Sequence, residues 1–116
     1  MNATPNLMVL RASEPGRLAS FYASLGFSFV EERHGKGPMH FASQSAGFVL
    51  EIYPASADAS TCGLRLGFAV DDVDRAFEAA VAASGSAVVS PRDSDWGRRA
   101  VVRDLEGHTV ELLQRQ

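Results

Sequence analysis

The chain holds one cysteine, no long hydrophobic run and no excess of positive charge, and each shortage removes a class of function. With Cys62 alone, no disulfide can close within the chain, which suits a reducing compartment. No apolar stretch approaches the roughly 18 residues of a membrane span. The opening MNATPNL has neither the basic start nor the apolar centre of a signal peptide, so a cytoplasmic location is expected. The net charge of -3 leaves no basic stripe for a nucleic-acid backbone or an anionic membrane. Glycine-rich phosphate loops, a nucleophile elbow and Cys/His zinc spacing are all missing. What remains is ordinary: 116 residues, 46% apolar, enough for one domain with a core that needs no staples.

The hydrophobic pattern reads as one unit written twice. Residues 6–12 form a short apolar strand, after which Ser13 is placed to cap a helix with Glu14 and Pro15 in its first turn. Leu18, Phe21, Tyr22 and Leu25 follow at helical spacing, and Gly26 stops the helix. FSFVEER at 27–33, MHFASQ and FVLEIYP complete a strand–helix–three-strand order, separated by turns at Gly35–Pro38 and near Gly47. After a small-residue linker, 55–63, the order returns. Residues 64–70 are a strand, Asp71 or Asp72 caps a helix with Val73, Ala76, Phe77, Ala80 and Val81 on its apolar face, and Gly85 ends it. Strands follow at about 86–90, 98–103 and 108–114.

The fold class is therefore α+β: tandem βαβββ modules, about 6–54 and 64–114, forming curved mixed sheets around a cleft with the helices outside. The repeat matches Leu7 to Arg65, Gly26 to Gly85, and Glu51 to Glu111. Side chains alternate along a strand, so Phe48, Leu50 and Ile52 pack under the helix while Val49, Glu51 and Tyr53 face the cleft opposite Gln44, Ala42 and His40. By the same logic Thr109, Glu111 and Leu113 face the cleft near Arg98, Ala100 and Val102. A glutamate in the middle of each module's apolar strand is the sharpest feature here. A carboxylate among core residues is costly unless paired, bound to a cation or protonated. A solvent-facing position on a half-buried sheet is the plainer account of either one alone.

Three segments, FYASLGF (21–27), FAVDDVDRAFE (68–78) and DLEGHTVELL (104–113), resemble hallmark segments of the glyoxalase/bleomycin-resistance/dioxygenase (vicinal oxygen chelate) superfamily. The resemblance covers nearly the whole chain and implies the fold more specifically than the chemistry. Family enzymes hold a divalent metal with one side chain on the first and one on the last strand of each module. Here Leu7 and Arg65 fill the first-strand positions, while Glu51 and Glu111 keep the others. Leucine has no lone pair, and arginine is a permanent cation. Arg65 is expected to replace the metal electrostatically.

The expectation is a metal-independent binding protein without a cofactor, nearest in character to the bleomycin-resistance-like members. It would sequester an antibiotic with planar aromatic or cationic parts in a mildly acidic cleft. Trp96 would form an aromatic wall, with Glu51, Glu111, Arg65, Tyr53, His40, Arg98, Val49 and Val102 lining the groove. The alternatives are a Glu51/Glu111/His40 metal site and a glyoxalase-type lyase or isomerase using Glu51 and Glu111. His34 reads as solvated and His108 as a strand-start residue. A homodimer that completes the cleft is expected.

Overall fold

The computed structural model describes residues 1–115. The first module runs β1 (Leu7–Ala12), α1 (Pro15–Ala23), β2 (Val30–Glu32), β3 (His40–Ser45) and β4 (Phe48–Pro54). The second runs β5 (Arg65–Val70), α2 (Val73–Ala82), β6 (Ser86–Ser94), β7 (Gly97–Arg103) and β8 (Thr109–Gln114). Each module makes its own four-stranded sheet, in the orders β1-β4-β3-β2 and β5-β8-β7-β6. In each the first strand lies parallel to the last and the remaining pairs are antiparallel. The sheets are mixed and open. No helix among the described residues is long and apolar enough to cross a membrane.

The two helices start differently. Asp72 caps α2, its carboxylate accepting the Arg75 N–H at 3.1 Å. In α1 the expected Ser13 cap is absent, and Glu14 holds the cap position without a side-chain bond. The Arg17 N–H, which such a cap would serve, bonds instead to the Glu14 carbonyl at 3.0 Å, and Pro15 removes one further unpaired donor. Ser13 instead donates from its backbone N–H and its hydroxyl to Glu106 of the other module. The ends differ too. Gly26 takes a positive φ of 106° after α1, but after α2 the left-handed residue is Ser84 (φ 77°). Gly85 serves close approach: a Cβ there would lie 2.6 Å from the Phe21 ring and 2.8 Å from the Ala80 carbonyl.

The helix-side sets are as the alternation predicts, with Leu50, Ile52, Val110 and Leu112 fully buried. Val81 departs from its expected stripe and is 41% exposed. The segment 27–33 is a strand only at Val30–Glu32, since Phe27 and Phe29 turn into the core. There Phe27, Tyr22 and Phe68 meet edge to face, with centroids 5.1–6.2 Å apart, joining the modules through one apolar cluster.

Buried polar groups lock the same junction. The Tyr22 hydroxyl and the His108 Nδ1–H both donate to Asp104 Oδ2, at 2.5 and 2.8 Å. Asp104 Oδ1 accepts the backbone N–H groups of Glu106 and His108. On the other side of the imidazole, the Thr61 hydroxyl donates to Nε2 (2.6 Å) and accepts the Arg11 N–H (2.8 Å). The chain of bonds thus runs from α1 through the β7–β8 turn and the linker to β1. His108, expected to be an unremarkable strand start, is fully buried at its centre. Burial alone would raise the Asp104 pKa, but the bonds from His108, Tyr22 and Glu106 outweigh it and hold the carboxyl below 3.8. Burial, reinforced by Asp104, pushes the Tyr22 phenol up.

Asp104→Ala should therefore leave two buried donors unpaired and cost about 3 kcal/mol, lowering the unfolding midpoint by roughly 10–15 °C. Because the folded pKa is depressed, this contribution is present above the unfolded value and lost as pH falls through the folded one. Thermal melts at neutral and acidic pH should show the wild-type chain losing more stability on acidification than the variant.

Candidate functional site

Glu111 sits mid-strand in β8, with Gly67 beside it on β5 and Val101 on β7. Gly67 carries no side chain over it, which keeps this part of the sheet face open. Both carboxylate oxygens are taken by arginines. Arg65 Nε donates to Oε2 at 2.6 Å, and Arg99 donates to Oε1 from Nε (2.9 Å) and Nη2 (2.7 Å). These bonds, Arg65's first and then Arg99's, hold the carboxyl below its usual 4.5. Two guanidiniums for one carboxylate leave the cluster cationic. The mildly acidic cleft expected from the sequence is not what this module presents.

Arg99 is the residue that the sequence reading missed. The pairing sets Val101 against Glu111 and Arg99 against Leu113, so Arg99, Val101 and Arg103 share the Glu111 face. Arg98, Ala100 and Val102 belong to the opposite face, contrary to expectation. Val102 is buried in the core under α2, and Arg98 pairs with Asp74 of α2 (2.8 and 3.0 Å) and with Asp93. A one-residue offset moves every side chain to the other face of a strand. A clue was available: Ala100 and Val102 are the set fit for burial, whereas the other set carries two arginines.

Trp96 stands in the β6–β7 turn and is 73% exposed. With Arg99, Glu111 and Leu113 it lines a groove of about 340 Å³. A larger cavity of about 630 Å³ lies between the modules, bounded by Met8, Phe27, Ser43, Phe48, Phe68 and Arg115 among others. Neither contains Glu51.

Glu51 lies on the first module's sheet, between Val9 of β1 and Ala42 of β3. Val49 shares its face, next to Leu7, which is 54% exposed. Tyr53 stacks on His40 with centroids 4.1 Å apart and planes 7° from parallel, and the Arg11 guanidinium lies 5.0 Å from the Tyr53 ring centre. His40 is almost wholly buried. Its neighbours are Glu32 at 3.5 Å and Glu51 at 3.9 Å. The expected trio of Glu51, Glu111 and His40 is not brought together. Among the described residues the acid–imidazole cluster is Glu32, His34 and His40; His34 is exposed as expected, yet lies beside the other two.

The four positions that hold a metal in family enzymes do not fit one here. Leu7 offers no donor atom, and Arg65 is bonded to the very carboxylate that would ligate. No mechanistic step can be routed through an ion at that place.

The fold agrees with what the comparisons find. The glyoxalase/bleomycin resistance protein/dioxygenase superfamily model matches residues 4–112, and the chain belongs to that superfamily. It is similar to TioX from Micromonospora sp. ML1, with 25% identity, 98% of this chain and 100% of that one covered, and a TM-score of 0.74. It shares its fold with TnmS3, an antibiotic binding protein from Streptomyces sp. CB03234, at 21% identity, 99% and 98% coverage and a TM-score of 0.79. Oxidase ChaP-H2 is equally alike in fold, at 21% identity, 100% and 96% coverage and a TM-score of 0.78. No curated protein matches the sequence closely.

If the arginines hold Glu111 ionised, its NMR titration midpoint lies below 4.5 in the wild-type chain. Arg65→Ala should move that midpoint upward, and an unchanged midpoint would mean that the bond to Arg65 does not form in solution.

Proposed function

We propose that the chain sequesters a small planar aromatic molecule, of an antibiotic type, in the groove beneath Trp96. The observation that carries this reading is an exposed indole lining one groove with Arg99 and with Glu111, whose carboxylate also binds Arg65. An aromatic ring on Trp96 gains about 0.5–1.5 kcal/mol beyond its buried area. The surplus positive charge of Arg65 and Arg99 then favours a carboxylate, phenolate or similar acceptor on the ligand's edge. The expected preference for cationic parts gives way to an anionic one at this groove. Superfamily membership and the fold shared with an antibiotic binding protein support the class of function. Glu111, held ionised, is a poor proton donor, which weakens the lyase or isomerase alternative.

We further propose that two copies pair in the cytoplasm. The accessible surface is 7113 Å², against about 6,100 Å² for a compact monomer of this mass. The excess comes with open sheet faces of opposite character: Glu32 and Glu51 with exposed Leu7 and Val30 on one, Arg65, Arg99 and Arg103 on the other. A twofold axis can set the acidic face of each copy against the basic face of its partner.

Titrating Trp96 fluorescence with flat aromatic carboxylates and with matched amines tests the ligand class. The carboxylates should bind at least tenfold more tightly, and by calorimetry, since the variant has no indole to report, Trp96→Ala should lose at least tenfold, about 1.4 kcal/mol. Equal affinity for the amines would remove the role given to the arginines. Sedimentation should give twice the chain mass, and a monomer at micromolar concentration would refute the paired faces.

A further inference from the structure

The first module carries a cluster that the drug-binding reading leaves unused. Glu32 ends β2, His34 follows in the turn, His40 opens β3 and Glu51 lies on β4. Glu32 Oε1 lies 3.5 Å from His40 Nε2 and 3.8 Å from His34 Nε2, and all three donor atoms fall within 4.8 Å of one another. Glu51 Oε2 is 3.9 Å from the same His40 nitrogen. These spacings are too long for hydrogen bonds. The two Glu32 spacings lie a few tenths of an ångström beyond the edges of a tetrahedron whose metal bonds are about 2.0–2.1 Å, which are roughly 3.3–3.4 Å long.

His40 is held as a ligand would be. It is 1% exposed, and its Nδ1–H donates to the Pro38 carbonyl at 3.2 Å. That bond keeps the hydrogen on Nδ1 and aims the Nε2 lone pair at the carboxylates, the usual way a protein orients a metal-binding imidazole. The Tyr53 hydroxyl lies 3.4 Å from Nε2. Because the two rings are stacked, however, it sits above the imidazole plane and off the lone-pair axis. That single bond to the buried nitrogen is long and weak.

Charge makes the same demand. Glu111 has two arginines, whereas no lysine or arginine among the described residues lies within 4.0 Å of the Glu32 or Glu51 carboxylates. Arg33, the nearest in sequence to Glu32, donates to the Gly37 carbonyl and braces the loop that carries His34. Glu32, His34 and His40 converge beside Glu51 with no lysine or arginine among them, an arrangement that a divalent ion would relieve.

We propose that this chain binds one divalent first-row transition ion, zinc in character, through Glu32, His34 and His40, with water in the fourth position. Two imidazole nitrogens favour such an ion over magnesium or calcium, which take oxygen. The site lies apart from positions 7 and 65, where relatives with metal place first-strand ligands, and it does not depend on what the Trp96 groove binds. It also revises the expectation of a chain without metal.

The test uses the full chain without a histidine tag, metal-stripped and then titrated with Zn²⁺ by calorimetry, with metal content measured after dialysis. Co²⁺ serves as a spectroscopic probe of tetrahedral coordination. One equivalent per chain is expected, with affinity falling at least tenfold in Glu32→Gln and in His34→Ala and unchanged in Glu111→Gln. His34 is exposed, so its variant should melt like the wild-type chain when both are metal-free. No stoichiometric uptake, or equal uptake by wild type and both variants, overturns the proposal. Loss of uptake in Glu111→Gln would move the ion elsewhere and overturn it equally.

Discussion

One carboxylate, Asp104, decides how the two halves of this protein sit together. It is buried, and it is ionised only because a phenol, an imidazole and two backbone N–H groups converge on it. Those donors come from α1 and from the β7–β8 turn, so satisfying the charge fixes a distance between modules. Apolar contact alone would be less selective, since Phe27 and Phe68 could slide while still burying area. The hydrogen bonds specify an orientation, and the edge-to-face aromatics fill the space it leaves. Two of the three segments that carry the family resemblance, FYASLGF and DLEGHTVELL, supply Tyr22, Asp104 and His108. Their resemblance therefore tracks a joint of the fold, which is why it foretold architecture better than chemistry.

Duplication left each module with a glutamate at the same place, and the two have been neutralised in different ways. In the second module Arg65 and Arg99 enclose Glu111 and carry the local charge past neutrality. In the first, Glu51 and Glu32 face imidazoles and a tyrosine, with their negative charge uncompensated by lysine or arginine. The modules share a backbone plan and present opposite surfaces. Such division suits a molecule whose open faces meet a partner, because like surfaces would repel. It also separates the two recognition chemistries proposed above, which one cleft would have forced together: guanidiniums suited to an anion, and imidazole with carboxylate suited to a cation.

Much of this could be read from the residues in order. The duplicated strand–helix–strand plan and the helix-facing sets on β4 and β8 follow from local periodicity, which is written in neighbouring positions. The replacement of first-strand ligands by Leu7 and Arg65 was equally legible, because no fold can give leucine a lone pair. What local order could not supply was anything that depends on a pairing partner. The face of Arg99 rests on a one-residue register between β7 and β8, and Arg98 was assigned to the groove for want of it. The Tyr22–Asp104–His108 network joins residues 82 positions apart, and His34 reaches Glu32 and His40 only because β2 pairs with β3. Side-chain chemistry and periodicity belong to the sequence. Which charges meet, and therefore which groups need a counter-ion, was decided only when the strands found their register.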